Sequence, residues 1–186
     1  MKKITTLILF AILCSSFIFA QHSTQFGIKG GVNFSALHVD QQSSTHRTGI
    51  NAGVLAHIHL NSHFALQPEA MYSSQGAEYT DNVKTKLHYI NVPVLVQYMF
   101  GKGVRLQTGP QVSFLTSAET KTPVAEIDGN NVFKKTDFAW SVGAGYLTGP
   151  GLGFDVRYNL GLTDISKNNA DLKNRVWQVG IFYQRR

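Results

Sequence analysis

One periodicity constrains this chain more than any other feature. Apolar residues alternate with polar or small ones, segment after segment. In LGFDVRYNLGL, Leu152, Phe154, Val156, Tyr158, Leu160 and Leu162 fall on one side, and Gly153, Asp155, Arg157, Asn159 and Gly161 on the other. In INAGVLAHIHL, Ile50, Ala52, Val54, Ala56, Ile58 and Leu60 oppose Asn51, Gly53, Leu55, His57 and His59. The pattern recurs with Phe26, Ile28, Val32 and Phe34, with Phe138, Trp140, Val142, Ala144 and Tyr146, and with Trp177, Val179, Ile181 and Tyr183. A period of two predicts strands with a single apolar face. Eight are predicted, over 24–36, 47–60, 63–76, 86–100, 104–117, 136–148, 152–163 and 174–184. Each is longer than the ~9–11 residues with which a tilted strand crosses a bilayer.

The connections sharpen the reading. Long segments (37–46, 77–85, 118–135, 164–173) alternate with short turns at Asn61-Ser62, Gly101-Lys102-Gly103 and Gly149-Pro150-Gly151. Asn, Gly and Pro are what tight turns require. Long loops at one end and short turns at the other are the habit of outer-membrane barrels, whose short turns face the periplasm. The predicted fold is therefore an all-β, eight-stranded antiparallel up-and-down transmembrane β-barrel.

LQPEAMYSSQG, residues 66–76, fits only if the polar side faces inward. Phe64, Leu66, Pro68, Ala70 and Tyr72 then meet lipid, and Gln67, Glu69, Met71, Ser73 and Gln75 line the lumen. The same assignment sends Lys29, Arg105 and Arg157 into the lumen against Glu69, Asp137 and Asp155. A charge facing lipid at mid-depth costs about 2–4 kcal/mol, so membrane insertion enforces this sorting. Glu69 is expected to pair with Arg157, and Lys29 with Asp155. Trp140 and Trp177, near strand starts that follow long loops, are expected in the outer aromatic belt. Pro68, Pro93 and Pro110 fall inside proposed strands and demand bulges or local ladder breaks.

The N-terminus MKKITTLILFAILCSSFIFAQ has a basic head, an apolar run and Ala20 before Gln21, the layout of a secretory signal peptide spanning 1–20. Cys14 offers a lipoprotein alternative, but Leu13 precedes it where a small residue is needed. Residues 21–186 then form the barrel domain, with no cysteine to make a disulfide. Without Lys2 and Lys3 the chain carries 15 basic against 11 acidic residues, without the basic–aromatic clustering of a nucleic-acid partner.

The chain resembles the PorT-like outer-membrane β-barrel family of Bacteroidota. The likeness lies in FGIKGGVNFS at 26–35, LQPEAMYSSQG at 66–76, LHYINVPVLVQY at 87–98, GPQVSFL at 109–115, DFAWSVGAGY at 137–146 and GLGFDVRYNLGLTDI at 151–165. It implies an outer-membrane barrel inserted by the assembly machinery, with an envelope or secretion-system protein as a further partner. Asn91 stands where the family carries an acid, and Gln97 where it carries a lysine. The chain ends on Arg185-Arg186 and not on the aromatic residue usual in such barrels.

Little in the sequence points to chemistry. His57 and His59 share the lumen face and offer two metal ligands, but no further ligand is placed to complete a site. His38, Asp40, Ser43, Ser44 and His46 in the first loop carry catalytic residue types without a linking geometry. Asn33-Phe34-Ser35 matches a glycosylation sequon inside a strand. No cofactor or enzymatic activity is expected. Eight strands enclose an interior that side chains fill. A structural or surface-binding barrel is thus favoured over a narrow channel, and a lipid-modifying enzyme is third. Loop 118–135, polar and rich in turn residues, is expected to be the most mobile and protease-sensitive segment.

Overall fold

The computed structural model describes residues 24–39, 42–43, 45–78, 84–121, 126–128, 132–167 and 172–185. The segment 1–20 with Cys14, Asp40 and Ser44 of the first loop, and 122–125 and 129–131 of the third loop lie outside them.

Eight long strands follow one another: β1 (Thr24–Val39), β2 (Thr45–His59), β3 (Phe64–Glu78), β4 (Lys84–Met99), β5 (Val104–Lys121), β6 (Thr136–Leu147), β7 (Leu152–Gly161) and β8 (Lys173–Gln184). Each pairs antiparallel with the next, and β8 pairs with β1 from Gly27↔Gln184 to His38↔Lys173. The sheet closes on itself, so none of the eight long strands is left as an open edge, as lipid requires. This is an eight-stranded antiparallel up-and-down barrel.

Three turns at one end are tight. Asn61 Oδ1 accepts from the backbone N–H groups of His63 (2.9 Å) and Phe64 (2.8 Å). Lys102 (φ 72°) and Gly103 (φ 94°) turn β4 into β5, and Gly151 (φ 96°) turns β6 into β7. The long connections gather at the other end and are partly structured. Gln42–Ser43 pairs with the end of β1, and Glu126–Asp128 pairs with the end of β5.

Side chains sort by face as the alternation predicts. Lys29, Glu69, Arg105, Asp137, Asp155 and Arg157 are all buried inside, whereas Phe26, Ile28, Val54, Val142, Phe154 and Ile181 are exposed outside. Outward aromatics form two girdles. Phe26, Phe64, Tyr98, Tyr146, Phe154 and Tyr183 circle the short-turn end, and Phe34, Tyr72, Phe114, Phe138, Trp140 and Trp177 circle the long-loop end. Aliphatic residues such as Val94, Val142, Val156 and Val179 fill the band between, the layout of a lipid-facing surface. Both tryptophans point outward. Trp140 Nε1 donates to Thr108 Oγ1 at 2.9 Å, and Trp177 lies against Tyr158 with ring centroids 4.8 Å apart.

The prolines are absorbed by ladder breaks and not by bulges. Between β3 and β4 the ladder skips from Pro68↔Val94 to Met71↔Asn91, and between β4 and β5 from Pro93↔Gln111 to Val96↔Thr108, with the register unchanged on either side. Pro110 stays in register opposite Trp140. The register shifts fall elsewhere, between His46 and Asn51 of β2 and between His88 and Tyr89 of β4. Gly76 sits beside the first with φ +141°, and a Cβ there would meet the carbonyl oxygen of Thr85 at 2.0 Å. Only glycine serves at that position.

Candidate functional site: a layered, filled lumen

From the short-turn end upward, the lumen is built in layers. The lowest is apolar: Leu55, Leu147 and Phe182 pack together, with the Arg105 guanidinium 5.4 Å from the Phe182 ring centre. Beside it a recess of about 280 Å³ is lined by Gln25, His57, His59, Met99, Arg105 and Gln184, among others. The His57 and His59 rings meet edge-on at 4.6 Å. Among the described residues no cluster of three or more His, Cys, Asp or Glu side chains is placed to hold a metal.

Above it lies a layer of charge. Arg157 grips Glu69 with both ends of its fork, Nη1 donating to Oε2 at 2.8 Å and Nη2 to Oε1 at 2.7 Å. β3 and β7 stand opposite each other in the barrel, so this pair spans the lumen. Lys29 Nζ donates to Asp155 Oδ2, and Arg157 Nη2 lies 3.6 Å from the same oxygen. Two cations and two carboxylates therefore neutralise one another in one plane. A bidentate guanidinium–carboxylate pair is the geometry that best compensates the desolvation of both charges.

Glutamines complete the layer. Gln67 Nε2 donates to Glu69 Oε1 (2.8 Å), Gln107 Nε2 to Asp155 Oδ2 (3.1 Å), and Gln97 Nε2 to Gln107 Oε1 (2.9 Å). Arg105 Nη1 reaches Gln97 at 3.4 Å and Gln184 at 3.3 Å. Sequence reasoning placed six charges in one mutually neutralising set. The structure joins four of them directly. Arg105 reaches this layer through Gln97 and Gln107, which no charge-based reading singles out. Asp137 stands apart near the long-loop end, accepting a hydrogen bond from Thr163 Oγ1 at 2.6 Å.

Next comes a neutral polar layer. Asn33 Nδ2 donates to Ser73 Oγ (2.8 Å), Asn51 Nδ2 to Asn33 Oδ1 (2.6 Å) and Ser141 Oγ to Asn159 Oδ1 (2.7 Å). Asn33 is fully buried within this layer.

The long-loop mouth is closed by an apolar cluster that the sequence did not disclose. Ala77, Leu87, Tyr89 and Ala118 point inward from the strand ends, and Phe133, Ile165 and Leu172 come down from the connections. The backbone ties the two connections together. Lys134 N–H donates to Ile165 O (2.8 Å), Lys167 N–H to Val132 O (3.0 Å), Ile165 N–H to Leu172 O (2.9 Å) and Leu115 N–H to Lys135 O (2.8 Å). The expectation that 118–135 is the most mobile stretch falls in part on 122–125 and 129–131, outside the described residues. Residues 118–121 continue β5, 126–128 form a strand against it, and Phe133 is buried in the cap.

Asp164 organises this cap. Its Oδ1 accepts from the N–H of Ser166 (2.9 Å) and of Leu172 (3.0 Å), and its Oδ2 lies 3.4 Å from Lys134 Nζ. The Ser166 N–H bond, supported by the Leu172 N–H and Lys134, holds this carboxyl below the usual carboxylate range. A depressed folded value stabilises the cap above the ordinary carboxylate range, and that contribution disappears as pH falls through the depressed one. Amide exchange at Ser166 and Leu172 is therefore expected to accelerate selectively in acid, and Asp164→Asn is expected to remove the pH dependence. Exchange that is equally pH-dependent in Asp164→Asn contradicts this role.

Solved structures with the same fold include the attachment invasion locus protein Ail of Yersinia pestis, at 16% identity and TM-score 0.59, covering 88% of this chain and 99% of that one. Ail has also been solved in complex with the heparin analogue sucrose octasulfate. Neisserial surface protein A aligns at 13% identity and TM-score 0.64, over 87% of this chain and 98% of that one. At such identities the likeness establishes the fold alone. No curated protein sequence matches the chain. The profile of the family described as "Outer membrane protein beta-barrel domain" matches residues 19–167, most of the chain. With its closed barrel, its lipid-facing exterior and this match, the chain belongs to the outer membrane protein beta-barrel domain family, and its place is the outer membrane.

Proposed function

We propose that this is a non-conducting, non-enzymatic barrel that anchors a surface-binding or assembly role, resembling the PorT-like barrels of Bacteroidota. It is exported by a signal peptide cleaved near Ala20 and oriented with its long loops outward. The observation that carries this reading is the filled lumen: the layer Lys29–Asp155/Glu69–Arg157 spans the interior, and the Leu87–Phe133–Ile165 cluster closes the mouth. A diffusion pore needs a continuous wet path, and these two barriers lie in series across it. What is left to meet partners is the loop end, where Lys134, Lys135 and Lys167 are exposed.

Cross-linking of intact cells through these lysines is the test. Capture of one defined envelope partner, lost when the three lysines are replaced by glutamine, is expected. Absence of any cross-linked partner, together with lower uptake of small hydrophilic solutes in cells lacking the protein, would favour the channel reading.

A further inference from the structure

The recess at the short-turn end contains a histidine that the filled lumen does not explain. His57 lines it and is completely buried. Gln67 Nε2 donates to Glu69 Oε1, a carboxylate oxygen that only accepts. Gln67 therefore turns its own oxygen to His57, with Oε1 3.3 Å from Nδ1. An amide oxygen calls for a donor, so Nδ1 carries the His57 proton and Nε2 carries the lone pair. Among the described residues Nε2 is buried without a hydrogen-bond partner. A buried acceptor left unmade is costly and calls for a ligand. An imidazole fixed by a hydrogen bond at one nitrogen, with a lone pair at the other, is how a metal-binding histidine is held.

Two further donors line the same recess. His59 follows two residues along β2 on the same face, its ring edge-on to that of His57. It has two ring nitrogens, and a metal needs only one. Met99, the last residue of β4, brings a thioether. Between these strands the inward position on β3 is Ala65, opposite both His59 and Gln97 and completely buried, so a single methyl separates the side chains of β2 from those of β4. A search for His, Cys, Asp and Glu alone misses this set, because its third member is a methionine.

Two imidazoles and a thioether form a soft set, the kind that selects cuprous copper. Among the described residues no Asp or Glu lines the recess, so the set lacks the oxygen ligands of a hard divalent ion. Arg105 stands on the recess wall, held at Phe182, Gln97 and Gln184. Its charge opposes any cation there, a divalent one about twice as strongly as a monovalent one.

We propose that His57 Nε2, a ring nitrogen of His59 and Met99 Sδ bind one cuprous ion in the short-turn mouth of the barrel. With the long loops outward, this mouth loads from the periplasm. Binding to the purified barrel depends neither on that orientation nor on whether the lumen conducts, so its failure leaves the closed-barrel reading standing.

The test is a competition titration of the untagged mature barrel in detergent, from which the leader has removed the chain's single cysteine. Under argon with ascorbate, the wild type is expected to withdraw one equivalent of Cu(I) from the chromophoric chelator bicinchoninate. It is expected to withdraw no Zn(II) from a zinc chelator of equal affinity. Met99→Leu, which keeps the volume and removes the sulfur, is expected to weaken Cu(I) binding about tenfold or more. His63→Gln, at the nearest outward histidine, is expected to leave it unchanged. X-ray absorption of the Cu(I)-loaded wild type is expected to show sulfur and nitrogen around the metal. Failure of the wild type to withdraw Cu(I) overturns the proposal, and so does equal affinity for zinc. Unaltered binding by folded Met99→Leu overturns it too. If that variant fails to fold, a copper spectrum without sulfur does the same.

Discussion

Glu69→Ala is expected to destabilise the folded barrel by about 3–5 kcal/mol, because it leaves the buried Arg157 guanidinium without its carboxylate. Arg157→Ala is expected to cost a similar amount by stranding Glu69. The double substitution should cost well under the sum, since it removes the pair and its mutual penalty together. The remaining Lys29–Asp155 pair is itself neutral, so the double variant leaves this four-charge layer without net charge. Urea unfolding in detergent, followed by the band shift between folded and unfolded barrel, measures all three. Additive losses would show that the two side chains do not act on each other.

The second large effect is expected at the mouth. Leu87 is completely buried in the apolar cap, and its truncation to alanine should cost about 2–5 kcal/mol. The loss should be local in its consequences. Phe133 and Ile165 lose a packing partner, and the connections that carry them open to protease. Limited proteolysis of the refolded barrel should therefore cut within 118–135 faster in Leu87→Ala than in the wild type. Val132→Ala, at an exposed position on the same connection, should change nothing. Equal cutting rates in Leu87→Ala and wild type would mean that the cap does not restrain the connections.

Which face is inside was legible from the chain because lipid punishes errors in one direction. Glu69, Asp155 and Arg157 have no tolerable place on the exterior, and the two-residue period carried every neighbour with them. The pairing of β3 with β7 across the lumen followed from strand order and counting. The cap was not legible. Phe133, Ile165 and Leu172 lie in segments whose Asn, Asp, Gly and Lys content reads as solvated loop, and only folding brings them onto Leu87 and Tyr89. The inward Leu87 and Tyr89, successive on the inner face of β4 close to its long-loop end, were the available signal. Gln97 and Gln107 escaped for another reason: a neutral amide carries no charge to balance, yet its donor and acceptor link Arg105 to the charged layer. Pro93 looked incompatible with a closed sheet, but a ladder can omit two pairs and keep its register.

The claim that this barrel is filled and sealed meets its most direct test in a planar bilayer. With the purified wild-type protein inserted at either polarity, the account predicts a current indistinguishable from the protein-free membrane. Discrete, reproducible conductance steps from the folded wild-type barrel would contradict it.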